Sequence, residues 1–263
     1  MANPLRVLLL TNATSQHSLP VLEAVAHDAR IELVGVLLHD SVTAARSQLL
    51  TTIRRHGWGH VYAKMKSVLG SKLAARRTRN TPAVQSAYAF AVTNGLDYHL
   101  TTRLSDAAAQ AWMRDRLPDL LLSCSFSQIL PSPLIHATQY GAINIHPSLL
   151  PRYRGPEPAF WMLFHGETHA GVTFHLIDTR IDHGPLIAQF PLEIAQTWTP
   201  EILTAEAFRL AARHTVQVLQ EWAAGDRMPI AQDHASSSYY GFPTWRQRRE
   251  FRRRWRRRQL EAQ

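Results

Sequence analysis

The spacing of apolar residues changes rhythm along this chain, and each change predicts an element. Arg6 to Leu10 is a continuous apolar run of strand length, and Thr11 to Ser18 is polar and turn-like. Leu19 to His27 places Val21, Leu22 and Val25 on one side, as a helix does. Ile31 to Leu38 is a second strand-like run. Asp106 to Arg116 predicts a helix ending at Leu117-Pro118, and Leu120 to Cys124 the next strand. Ile129 to His136 predicts a short helix broken by prolines, and Ala142 to Ile145 a short strand. Farther on, Ala159 to Phe164 looks helical, and Gly171 to Ile177 and Leu186 to Phe190 look like strands. Thr199 can cap a helix with Pro200 at its first position, running to Ala224 and stopping at Gly225.

Strands that alternate with helices and are apolar throughout predict an α/β fold: a mostly parallel sheet with helices on both faces. Residues 42–93 depart from that rhythm. Trp58, Val61, Tyr62, Met65, Val68 and Leu69 recur at helical spacing among basic residues, which predicts an amphipathic helical insertion. That insertion either packs on the sheet with a solvated basic face or docks an anionic partner. The turn after the first strand has no G-x-G-x-x-G, and no P-loop pattern occurs anywhere, so a nucleotide-binding reading has no motif behind it.

Composition adds location more than class. Of the net charge of +9, the stretch Arg246 to Arg258 supplies +8, from nine arginines and one glutamate. The rest of the chain is nearly neutral, so the basicity belongs to a C-terminal extension (226–263) beyond a body at 1–225. Trp245, Phe251 and Trp255 interleave with those arginines. The extension is therefore expected either as a frayed, solvated end or as a basic aromatic helix that contacts an anionic surface. The single cysteine, Cys124, cannot form an internal disulfide and fits a buried structural position in a reducing compartment. No apolar run approaches the ~20 residues of a membrane span, and no signal-peptide pattern precedes the first strand, so a cytoplasmic location is expected.

The candidate chemistry sits where the fourth predicted strand ends. Asn144 and His146 flank Ile145 at that end, and Asp182 follows 38 residues after Asn144, beside Gly184. Parallel sheets place their chemistry at strand carboxyl ends. An amide donor, an imidazole and a carboxylate are the groups that attack on a carbonyl carbon requires. His165, His169, His175 and His183 are dense enough to raise a metal reading. Gly166 between the first two disfavours a helical ligand pair, and no H-E-x-x-H pattern accompanies them, so no metal is expected.

The run Gly141 to Pro158, followed by His165 to Gln189, resembles the folate-dependent formyltransferase family. The shared pattern is the Asn144–His146 loop, the Gly171-Val172-Thr173 strand and Asp182-His183-Gly184 at matching spacing. The resemblance implies a Rossmann-like fold, 10-formyltetrahydrofolate as formyl donor, no metal, and Asn144, His146 and Asp182 as the catalytic trio. It places Phe126, Ser127, Gln128, Ile129 and Leu130 in the loop that wraps the pterin. Ile177, Thr179 and Ile181 fall in the Asp loop that faces the pterin, and His175 faces the same pocket or is structural. Arg152, Tyr153, Arg154 and Gly155 either line the acceptor side or form a solvated loop.

Family members differ outside this core. Those acting on methionyl-tRNA carry a large C-terminal domain, whereas about 40 residues follow Ala224 here. That argues against tRNA as acceptor. The hydrolytic members carry an N-terminal regulatory domain, and the purine-synthesis members a glycine-rich phosphate loop; Thr11 to Ser15 has no glycine. The expected acceptor is therefore a small-molecule amine: an amino sugar, an amino acid derivative or a specialised metabolite. Hydrolysis of formyltetrahydrofolate, or a binding module acting through its basic tail, are the alternatives. Because sugar formyltransferases often carry C-terminal dimerisation elements, there is also room for a homodimer.

Overall fold

A computed structural model describes residues 3–40 and 86–261. Most of the expected insertion lies outside the described residues; its last part forms a helix. In chain order the strands are β1 (Leu5–Asn12), β2 (Ile31–His39), β3 (Tyr98–Thr101), β4 (Leu120–Cys124), β5 (Ala142–His146), β6 (His169–Leu176) and β7 (Leu186–Glu193). The helices are α1 (Leu19–Ala26), α2 (Ala87–Thr93), α3 (Ala107–Asp115), α4 (Ser132–Ile135), α5 (Pro158–His165), α6 (Pro200–Ala224) and α7 (Trp245–Glu261).

The seven strands among the described residues form one sheet in the order β3-β2-β1-β4-β5-β6-β7. The first five are parallel, and β6 and β7 complete the sheet antiparallel. The apolar run in β1 is buried on both faces, and period-two alternation divides it. Val7 and Leu9 join α1, α2 and α6 residues in one core, while Leu8 and Leu10 join Ala109, Met113 and Leu134 in the other. A third cluster joins α5 to Leu203 of α6, with Phe251 of α7 packed against it.

The structure extends or shortens several expected elements. β1 continues through Thr11 and Asn12, whose polarity predicts a turn; Asn12 pairs with His39 of β2. β3 has no apolar run to announce it and exists because Val36 to His39 offer it a parallel edge. The helix expected over Ile129 to His136 shrinks to Ser132–Ile135, after Pro131 in an extended conformation. α6 matches its expected limits: the Thr199 hydroxyl accepts from Ile202 N–H, and Gly225 closes the helix at φ +79°. Among the described residues no helix is long and apolar enough to cross a membrane.

The frayed, solvated end expected for the extension is corrected. Residues 245–261 form α7, whose Phe251 ring lies 5.2 Å from Phe160 on α5. Before it, Ser238 to Tyr240 runs along residues 151–155: Arg154 N–H donates to Ser238 O (2.9 Å) and Tyr240 N–H to Arg154 O (3.0 Å). Of the three aromatic residues that suggested an exposed tail, Phe251 and Trp255 are half-buried, whereas Trp245 keeps 61% of its surface exposed.

Candidate active site

β5 delivers Asn144 and His146 to one face, two residues apart, as the strand period requires. Asn144 pairs across the antiparallel boundary with His175 of β6. Its amide donates to His175 Nε2 at 3.1 Å, and its carbonyl oxygen accepts from the Ser123 hydroxyl at 2.9 Å. His175 Nδ1 lies 2.8 Å from Leu176 O, which can only accept, so Nδ1 carries the proton and Nε2 is the lone pair facing Asn144. That chain fixes which way the Asn144 amide points and leaves its second N–H free for a ligand.

His146 is buried, and its Nε2 lies 2.9 Å from Tyr153 O. A carbonyl cannot donate, so Nε2 carries the proton and Nδ1 is the basic nitrogen. Asp182 Oδ1 stands 3.5 Å from that Nδ1 and 3.7 Å from His175 Nε2, while Oδ2 accepts from Gly155 N–H at 2.8 Å. Burial pushes His146 below its ordinary value, against the raising effect of Asp182, and keeps the imidazole neutral. Burial alone would raise Asp182, but the attraction of His146 and of His175 once either imidazole takes up a proton, with the Gly155 N–H bond, outweighs it and holds the carboxyl well below the usual carboxylate range. The site thus pairs a neutral base with an ionised carboxylate.

The turn after His146 is held by the Gly171-Val172-Thr173 strand. The buried Thr173 hydroxyl donates to Ser148 O (2.6 Å) and accepts from Leu150 N–H (3.1 Å) and Gln189 Nε2 (2.9 Å). Gly171 is required by space: a Cβ there would sit 2.4 Å from Phe190 O and 2.5 Å from Leu149. The peptide bond Leu150–Pro151 is cis.

With this geometry, the comparison with known proteins is specific. The sequence model for formyl transferase matches residues 36–219. The chain belongs to the formyl transferase family. It is 29% identical over 236 residues to the methionyl-tRNA formyltransferase of Roseiflexus sp. (strain RS-1), covering 90% of this chain and 62% of that protein. It is 39% identical over 121 residues to that of Chloroflexus aurantiacus (strain ATCC 29366 / DSM 635 / J-10-fl), covering 46% of this chain and 39% of the relative. The chain therefore spans less than two thirds of the length of these curated relatives. In fold it is similar to glycinamide ribonucleotide transformylase 1 from Symbiobacterium toebii, with a TM-score of 0.60 at 18% identity over 89% of this chain and 96% of that one. It is also similar to an N-formyltransferase from Helicobacter canadensis solved with folinic acid and dTDP-3-aminofucose, with a TM-score of 0.55 at 16% identity over 90% and 71% of the two chains.

In this member of the family, the two loops expected around a pterin converge on one apolar cluster. Leu130 is buried in it, and Phe126 and Ile177 pack against it. Ile129 and Ile181 leave 64% and 46% of their surface exposed, apolar area suited to an aromatic bicycle. The Gln128 side chain is spent on Leu104 N–H (2.8 Å) and Thr102 O (3.3 Å), and the Ser127 hydroxyl on Asn12 (2.8 Å), so the loop can offer a ligand mainly its backbone. Thr179 is exposed. His175 is buried beside Asn144 and Asp182.

Three supporting groups escaped the sequence reading. Ser123 acts through a hydroxyl in an otherwise apolar strand. Tyr153 O and Gly155 N–H act through the backbone, which side-chain identity does not report. The solvated-loop alternative for 152–155 is corrected in part: Tyr153 and Arg154 are buried, whereas the Arg152 side chain keeps 57% of its surface exposed. Of the four clustered histidines, His165 stacks on Trp161 (5.8 Å between ring centres), and His169 contacts Thr168 (2.9 Å). Among the described residues no group of three His, Cys, Asp or Glu side chains could hold a metal ion. Cys124 is buried and its thiol is pushed well above its ordinary value by burial.

Proposed function

We propose that the protein transfers the formyl group of 10-formyltetrahydrofolate to the amine of a small-molecule acceptor. The observation that carries this reading is the convergence of Asn144 N–H, His146 Nδ1 and the Asp182 carboxylate, with Asp182 Oδ1 3.5 Å from His146 Nδ1.

The amine nitrogen attacks the formyl carbon, and the carbonyl oxygen gains negative charge. The free N–H of Asn144 stabilises that oxygen, an effect worth ~3 kcal/mol. The proton released by the amine passes to the Asp182–His146 pair, where Nδ1 holds it and Asp182 stabilises the imidazolium. As the bond from the formyl carbon to the folate nitrogen breaks, that nitrogen keeps the electron pair and takes the proton. Charge and protons balance, with tetrahydrofolate and a formamide as products. Phe126, Ser127, Gln128, Ile129 and Leu130, with Ile177, Thr179 and Ile181, supply the pterin's surroundings; His175 acts there through Asn144.

The small-molecule acceptor is supported by what covers the loop at 151–155. Its backbone edge is taken by the chain's own Ser238 to Tyr240, and Arg154 is buried. That leaves the acceptor flank with little open backbone for a macromolecule to grip. The methionyl-tRNA formyltransferase relatives favour a second acceptor, an aminoacylated tRNA.

Incubation with 10-formyltetrahydrofolate and a panel of amino sugars, nucleotide-linked amino sugars, amino acids and methionyl-tRNA tests both. Formylation of a small amine, read by mass spectrometry, is expected. Formylation of the tRNA alone would replace the acceptor class, and tetrahydrofolate release with no acceptor would replace transfer by hydrolysis.

A further inference from the structure

Asp182 is the hardest catalytic group to hold. Its backbone is left-handed, at φ +49°, a conformation that a side-chain-bearing residue keeps only when its surroundings fix it. The Gly155 N–H fixes the carboxylate. The backbone that follows it is fixed by a residue 50 positions away. Gln232 is buried, and its Nε2 donates to Asp182 O at 3.1 Å and to Gly184 O at 2.7 Å. Its Oε1 accepts from the buried Arg154 guanidinium at 2.6 Å. Only one orientation of the amide fits, because two carbonyls need a donor and a guanidinium needs an acceptor.

One side chain therefore spans the two loops whose approach makes the site. One loop carries Asp182, and the other carries Tyr153 O and Gly155 N–H, the partners of His146 and Asp182. Gln232 is itself anchored to the sheet, since Ile230 and Leu186 exchange both backbone hydrogen bonds at 2.7 and 2.8 Å. His234, two residues on, stacks on His183 at 3.9 Å and meets Arg154 at 2.9 Å, which reinforces the same junction.

We propose that Gln232, from the C-terminal extension, is a positioning residue of the active site: its carboxamide clamps the Asp182 turn to the Arg154–Gly155 loop and so sets the distance from Asp182 to His146. The proposal rests on the formyl-transfer reading for its kinetic consequence but not for its geometry.

Two full-length variants test it. Gln232→Met keeps the volume and removes every hydrogen bond. Gln232→Glu keeps an acceptor for Arg154 but sets an oxygen against the Asp182 and Gly184 carbonyls. Both are expected to lower kcat by roughly 10-fold or more, as small misplacements of a catalytic group do. KM for 10-formyltetrahydrofolate is expected to stay within about 2-fold, since the pterin loops are untouched. In Gln232→Met the NMR titration midpoint of His146 is expected to fall, because the Asp182 charge that raises it retreats. Unchanged kcat in both variants with an unmoved His146 midpoint would overturn the proposal. So would loss in Gln232→Met alone with an unmoved midpoint, which would mean that the residue serves Arg154 and the fold only. If the wild-type protein transfers no formyl group, the function fails, and the His146 titration still decides the clamp.

Discussion

The Asn144 amide donates to His175 Nε2 at 3.1 Å across the one place where the sheet changes from parallel to antiparallel. The two residues are strand partners, so the contact is set by register and not by chance side-chain reach. Because Leu176 O holds the His175 proton on Nδ1, the imidazole presents only a lone pair to Asn144. The amide cannot flip without facing acceptor to acceptor, and the proposed oxyanion donor is oriented before any ligand arrives.

That relationship predicts a graded response at the two positions. Asn144→Ala is expected to lower kcat by ~10²–10³-fold, the usual loss for one oxyanion donor. His175→Leu is expected to lower kcat by about 10-fold with little change in KM, because the donor remains but is no longer aimed. His175→Gln, whose side-chain oxygen can accept from Asn144, is expected to recover part of that loss. Steady-state kinetics on the three variants checks the order; equal activity of His175→Leu and wild type would remove His175 from the mechanism.

The buried base predicts how the protein responds to acid. His146 titrates below its ordinary value when folded, so the unfolded chain binds more protons as pH falls through about 6.5. Its contribution to stability is complete above that pH and is lost on acidification. His17, His39 and His214 are lowered by burial as well and add to the same slope. Asp182 acts in a lower window: its folded value is depressed, so its stabilisation is present above about 3.9 and is lost as pH falls from there. Thermal melts should therefore drop between pH 7 and 5, less steeply in His146→Asn, and again below pH 4, less steeply in Asp182→Asn.

Thr173 shows why a motif residue outside the chemistry belongs to the pattern. Thr173→Val keeps the shape but strips partners from Ser148 O and Leu150 N–H, both in the turn after His146. Leaving such groups buried and unpaired costs about 2–3 kcal/mol. Urea denaturation should report that loss, and kcat should fall with it because the turn carries Tyr153 O to His146.

Much of this site was legible in the chain because its parts are local. Asn144 and His146 lie two apart on one strand, and Asp182 recurs at a spacing that the β6 excursion explains. The strand–helix alternation gave the α/β sheet for the same reason. What stayed illegible acts at long range or without a side chain: Ser123 from the neighbouring strand, Tyr153 O and Gly155 N–H from the backbone, and Gln232 from 50 residues beyond Asp182. β3 was hidden because its four residues depend on the edge of β2, not on their own pattern. The extension misled most, since arginine density outweighed Phe251 and Trp255, four residues apart on the half-buried face of α7.

The corrected extension gives the final prediction. Along α7, Arg248 pairs with Glu157 at 2.6 Å and lies over Phe160, and Arg254 lies over Phe164 at 5.0 Å, so these arginines flank an aromatic contact centred on Phe251. Exposed ion pairs of this kind contribute little by themselves, which leaves the stabilisation with the half-buried ring. Phe251→Ala is expected to cost about 1–3 kcal/mol in urea denaturation, below the value for a fully buried phenylalanine. Arg252→Ala, exposed on the helix, is expected to stay within about 0.5 kcal/mol of wild type. A helix that merely trailed in solvent would leave both variants unchanged. Loss in Phe251→Ala alone requires that α7 be docked on α5, next to the segment Ser238 to Tyr240 that lies against the loop at 151–155.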